Sequence, residues 1–205
     1  MHFYFLLLLA AVGAAAHPLG DNPVDTLDAR TDIPRDYSVG DIQWRGFEDF
    51  PEDQVFTGTI ENVIDQMRRI KGADYTPSFV AKAENQTLED KHQYHTAGQR
   101  VVCGDNFADP SRIGQGIDFL RHLPDSATCT NAARSCGRIS CSWKSGIFWC
   151  NQKSVFSDEY KCNMFGSYAT RVVDECAIYD SNPRVSGANI DDELNLSVVV
   201  GKAKC

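Results

Sequence analysis

Cys136-Gly-Arg-Ile139-Ser-Cys141-Ser-Trp143-Lys144-Ser-Gly146-Ile147-Phe148-Trp149-Cys150-Asn151 is the stretch whose reading decides the fold. Two runs rich in aliphatic, aromatic and cysteine residues are separated by Lys144-Ser-Gly146, a short glycine-containing turn, which is the pattern of a β-hairpin. Period-two alternation predicts that Ile139, Cys141 and Trp143 share one face of the first strand. On the second strand it puts Phe148 and Cys150 on one face and Ile147 and Trp149 on the other. The phase alone does not say which face meets the rest of the protein.

Outward from the hairpin, the flanks alternate in type. Gln99–Cys103 reads as a short strand. Asp109-Pro110-Ser111 then opens a helix whose apolar face is Ile113, Ile117, Phe119, Leu120 and Leu123, closed by Pro124. Downstream, Met164, Tyr168, Ala169, Val172, Val173 and Cys176 recur at helical spacing, and Leu194–Val200 is a final strand. The predicted order is strand, helix, strand, strand, helix, strand. The expected fold class is therefore α+β: a disulfide-stapled βαββαβ sandwich, with a four-stranded antiparallel sheet and two helices on one face, over residues 99–205.

The compartment is read from the opposite end. Phe3–Val12 is a short apolar run followed by Gly13-Ala14-Ala15-Ala16, the form of a signal peptide (1–16) cleaved before His17. The run is too short to span a bilayer, which takes roughly 20 helical residues. Export gives the 8 cysteines their meaning. Cys103, Cys129, Cys136, Cys141, Cys150, Cys162, Cys176 and Cys205 are even in number and confined to the C-terminal half, a disulfide framework. A zinc site would ask for closer Cys pairs or neighbouring histidines. Connectivity stays open, since eight cysteines allow about 105 pairings.

Between signal and cysteine domain lie two further zones. Residues 17–37, rich in Asp and Pro, read as a flexible leader or a propeptide cut near Arg30 or Arg35. Residues 38–98 form a partly ordered extension with a strand at Ile42-Gln43-Trp44. Its one amphipathic helix is carried by Ile60, Val63, Ile64 and Met67, with Thr57 or Thr59 as N-cap and Gly72 at its end. Residues 76–99 read as a polar surface loop holding the sequon Asn85-Gln86-Thr87; a second sequon begins at Asn195 in the last strand.

The quoted hairpin, with Val101-Val-Cys103-Gly upstream and the helix ending at Cys176, resembles small secreted cysteine-rich proteins of filamentous fungi, many of them effector-like. The strand and helix order with a terminal cysteine also resembles the α/β-sandwich killer toxins of smut fungi. The resemblance covers roughly residues 99–205 and implies a role against host cells or competing fungi.

The net charge of -8 argues against nucleic acid and anionic membranes as partners and departs from the basic surface of a channel-blocking toxin. No Gly-x-Ser-x-Gly elbow or His-Glu-x-x-His motif is present. His92 and His95 read as a solvated pair, His122 as a helix C-terminal residue, and Asp191-Asp192-Glu193 as a solvated turn. No catalytic residue, metal ligand or cofactor is expected. The expected function is that of a monomeric secreted effector or toxin-like protein binding an extracellular protein or glycan. The alternatives are a carbohydrate- or cell-wall-binding module, with Trp143, Trp149 or Trp44 stacking on sugar, and a small secreted hydrolase.

Overall fold

The computed structural model describes Ile33 and residues 37–85 and 98–205. The signal peptide, its cleavage site before His17, Arg30 and Arg35, most of the leader, His92, His95 and the Gln86-Thr87 part of the first sequon lie outside the described residues.

The elements run β1 (Ser38–Asp41), β2 (Gln43–Arg45), β3 (Phe56–Thr57), α1 (Ile60–Lys71), α2 (Ser78–Asn85), β4 (Gln99–Ala108), α3 (Pro110–Arg121), β5 (Thr128–Asn131), β6 (Ser135–Ser142), β7 (Ser145–Asn151), β8 (Asp158–Lys161), α4 (Met164–Cys176), β9 (Val185–Asp191) and β10 (Leu196–Lys202). They build an α+β fold with a six-stranded sheet, β1-β6-β7-β10-β9-β4, and a four-stranded one, β3-β2-β5-β8. The main sheet is antiparallel except where β1 runs parallel to β6.

Local chemistry accounts for the helices. Thr59 caps α1 in a capping box with Asn62, each side chain serving the other's backbone. Gly72 ends it by donating its N–H to the Arg68 carbonyl. Asp109 caps α3, with its carboxylate accepting from the Ser111 N–H at 2.8 Å and Pro110 in the first turn.

The hairpin is present with its turn shifted. Trp143 and Lys144 form the tip, both with positive φ as in a type I′ turn, and Gly146 lies within β7 opposite Cys141. The register slips between Arg138 and Ser140, leaving Ile139 as an extra residue in β6. The slip reverses the alternation. Ile139 packs into the larger core and Cys141 into the smaller one, so the expected shared face of Ile139 and Cys141 is broken.

The four-stranded sheet expected for residues 99–205 is extended in two ways. β1 from the N-terminal region adds an edge, and β9 inserts between β4 and β10. β9 reads Val-Ser-Gly-Ala-Asn-Ile-Asp, too small and polar to signal a strand, yet Ser186 and Asn189 are buried in it. Asn189 Nδ2 donates to the Gln99 side chain at 3.3 Å and the Tyr168 carbonyl at 3.4 Å, which pairs the donor side of the buried amide. The polar loop expected over residues 76–99 instead begins with α2, whose Phe79 and Val80 are buried.

One core cluster joins buried residues of all four helices to Trp44, Ile147, Trp149, Val198 and Val200. The alternate residues Phe148 and Val199, with Cys136, Cys141, Cys150, Ala188 and Ile33, form a second cluster. All eight cysteines pair: Cys103–Cys176, Cys129–Cys162, Cys136–Cys150 and Cys141–Cys205. These bridges tie β4 to α4, β5 to the approach of α4, β6 to β7, and β6 to the C-terminal residue. Among the described residues, no helix is long and apolar enough to cross a membrane.

Candidate functional site

Two glycines set the spacing from which a surface groove arises. A Cβ on Gly116 of α3 would lie 2.2 Å from Ser140 Oγ of the sheet. One on Gly166 of α4 would lie 2.6 Å from Arg121 Cγ of α3. Glycine at both positions lets α3 settle against β6 and α4 against α3. Past that contact the walls part into a groove of about 1060 Å³, bounded by α3, α4, the end of β4 and residues 179–184.

One wall is a loop closed by its own hydrogen bonds. Ile178 and Arg184 exchange backbone hydrogen bonds of 2.9 and 3.0 Å. Arg184 also donates to both carboxylate oxygens of Asp180, at 2.9 and 2.8 Å, and to the Asn182 carbonyl. The Asn182 N–H and this guanidinium hold the Asp180 carboxyl below its usual range. Arg184 lies 5.5 Å from the Phe107 ring centroid. The loop so clamped presents Tyr179 with 72% of its surface exposed.

The other wall is α3. Asp109 at its start is held low by the Ser111 hydroxyl and N–H, whereas Asp118 is pushed up by burial, an effect the charges of His122 and Arg121 oppose. Asp118 Oδ1 is buried and has no hydrogen-bond partner. His122 is the helix C-cap, and its Nδ1 lies 2.8 Å from the Asp118 carbonyl. Asp109 and Asp118 are nine residues apart, about 13 Å along a helix axis, whereas paired glycosidase carboxylates stand roughly 5–10 Å apart.

Of the tryptophans singled out from sequence, only Trp143 is exposed, at 77%. It caps the hairpin beside α3, with the Arg112 guanidinium 5.2 Å from its ring centroid. Arg112 bonds in turn to Gln115, a residue of the groove. Trp149 is fully buried, stacked on Phe165 at 4.6 Å, and Trp44 is fully buried with its Nε1 donating to the Gly58 carbonyl. Neither is available as a sugar platform. The hairpin phase that turns Trp149 inward is the one the helices occupy.

No family profile, curated protein or solved structure matches this chain.

The remaining sequence candidates fall elsewhere. Asn195 is not in the last strand but in the turn before it, exposed and with positive φ. Asn85 is the exposed last residue of α2. Asp191 is buried rather than solvated: it accepts from the Tyr168 hydroxyl at 2.6 Å and from the Glu193 and Leu194 N–H groups. Burial, and then that contact, push the Tyr168 phenol well up. Among the described residues, no group of three His, Cys, Asp or Glu is placed to hold a metal. Phe107, Asp118 and Tyr179 carried no sequence signal, because only the meeting of α3, α4 and the clamped loop makes them neighbours.

Proposed function

We propose that this chain is a secreted effector- or toxin-like protein that acts outside the cell by binding a host or competitor target, and that it binds through the groove and its aromatic border. The observation that carries the reading is Tyr179, exposed on the clamped loop that lines the groove, together with Trp143, exposed at the hairpin tip over Arg112, whose partner Gln115 lines the groove too. An exposed tryptophan at positive φ is costly for the fold, and such strain is found at sites of function. The four disulfides fit an oxidising compartment, where a rigid recognition surface persists without a cellular chaperone.

This reading assigns binding rather than catalysis. The two carboxyls of opposite tendency on α3, Asp109 and Asp118, stand about 13 Å apart along the helix, wider than a glycosidase pair.

The test is surface staining of intact fungal and plant cells by the labelled, purified protein. Staining is expected for the wild type, lost in a Trp143→Ala/Tyr179→Ala double variant, and kept in Phe156→Ala, which alters an exposed aromatic outside the groove. Staining unchanged in the double variant would refute the groove as the binding surface.

A further inference from the structure

We infer that the groove between α3 and α4 takes a neutral glycan, with Tyr179 stacking on a sugar ring and the Asp118 carboxylate accepting its hydroxyls. The inference rests on the groove being the binding surface proposed above and names the ligand class.

The first argument is the unmet acceptor. Asp118 Oδ1 is buried with no partner, and its residue lines the groove. Buried polar atoms of native proteins are nearly always paired; of the four unpaired ones among the described residues, on Asp118, Arg138, Trp149 and Asn189, only that of Asp118 belongs to a residue lining the groove. Rotation about the soft χ2 of an aspartate turns either oxygen toward an arriving donor. A donor arriving with a ligand, either a hydroxyl or a cation, would find an acceptor there.

The second argument decides between those two. The groove is lined by the carboxylates of Asp109, Asp118 and Asp174 and the guanidiniums of Arg121 and Arg184. Asp180, bonded to Arg184, adds a fourth carboxylate, but both arginines line the groove and oppose a docked cation. A neutral polyol uses both kinds of group, since carboxylates accept from hydroxyls and guanidiniums donate to them.

The third argument is the border. Phe107 and Tyr179 are exposed aromatics on the same groove, and the apolar face of a pyranose packs on such rings. Gln115, Thr170 and Asn182 add neutral donors and acceptors. The groove is as large as the upper range of small-molecule pockets, roughly 1,000 Å³, and it is open, as a chain of several sugars requires.

The experiment is a glycan array followed by calorimetry, with β-glucan, chitin-derived and mannan oligosaccharides as probes and lysine-rich peptides beside them. Binding of a neutral oligosaccharide is expected, weakened about tenfold or more in both Tyr179→Ala and Asp118→Ala, as loss of a charge-assisted bond or a stacking ring implies. Tyr179 is exposed, and circular dichroism checks that Asp118→Ala, which removes a carboxyl near His122 and Arg121, keeps the fold. Absence of neutral-glycan binding, binding retained in both variants, or binding of the basic peptides alone would overturn the inference. Failure of the glycan step is separable from failure of the binding surface. Cell staining that depends on the groove, yet disappears when the cells are treated with protease, keeps the surface and replaces the glycan by a protein. Staining that ignores the groove variants removes the surface itself.

Discussion

Replacing Glu61 tests whether the N-terminal helix is integral to the disulfide-bonded sheet. The Glu61 carboxylate sits in the first turn of α1 and accepts from Ser140 Oγ at 2.6 Å and from the Cys141 N–H at 3.0 Å. Those donors follow directly on Ile139, the extra residue of β6, so the helix end satisfies groups beside the bulge. Hydrogen bonds to a charged acceptor contribute roughly 1.5–3 kcal/mol each, and a buried donor left unpaired costs about 1–3 kcal/mol. Glu61→Ala loses both bonds, and water replaces part of the loss because the pair is only partly buried. The expected destabilisation is about 3 kcal/mol. In a chain of this size that lowers Tm by roughly 6–12 °C. Glu61→Gln keeps one acceptor oxygen but turns an NH2 toward the second donor, so about half the effect is expected. Urea unfolding of the oxidised protein measures both. In a double-mutant cycle with Ser140→Ala, the Glu61 and Ser140 changes are expected to couple by more than about 0.5 kcal/mol. A Glu61→Ala midpoint equal to that of the wild type would refute the reasoning and leave α1 attached by apolar contacts alone.

Three further outcomes follow from the structure. Cys141→Ser/Cys205→Ser opens a bridge spanning 64 residues, and loop entropy sets the loss at about 4 kcal/mol, read as a lower urea midpoint. Ile33→Ala removes a buried side chain from the cluster of Phe148, Val199 and Ala188; a loss of about 2 kcal/mol is expected, and a midpoint unchanged would show that Ile33 fills no part of that core. The two α3 carboxylates have opposite pH signatures. Asp109, lowered in the fold, stabilises at pH values above its unfolded pKa of about 4, and that contribution fades as pH falls through the lowered value. Asp118, raised in the fold, holds its proton more tightly when folded, so stability falls as pH rises from the unfolded value through the raised one. Asp118→Asn should therefore raise stability at neutral pH relative to acid pH and steepen the rise of stability with pH above about 4; an unchanged curve would refute the burial argument.

Much of the fold was legible locally. The residues of α1 and α4, the caps Thr59 and Asp109, and the two faces of β7 all follow from periodicity and capping chemistry, which depend on neighbours a few residues away. What was misread involves partners distant in sequence. β9 is a strand because β4 and β10 supply its hydrogen bonds and Tyr168 and Gln99 pair its asparagine. The face of Cys141 changed because β6 gained a residue relative to β7. α2 falls in a stretch whose polar surface hides a short buried pair, Phe79 and Val80.

The candidate site divides the same way. That Trp143 stands in a hairpin was readable from composition, since turns and strands are short-range patterns. That Trp143 is exposed while Trp149 and Trp44 are buried was decided by which sheet face the helices cover, a choice local alternation leaves open. The sequence by itself determined an even set of cysteines suited to an oxidising compartment, along with the main helices and the hairpin, because each is encoded in composition or in spacing along the chain. The tertiary structure alone decided the cysteine pairing and the groove that joins Phe107, Asp118 and Tyr179, because a pairing or a concavity is a relation between segments whose distance only folding sets.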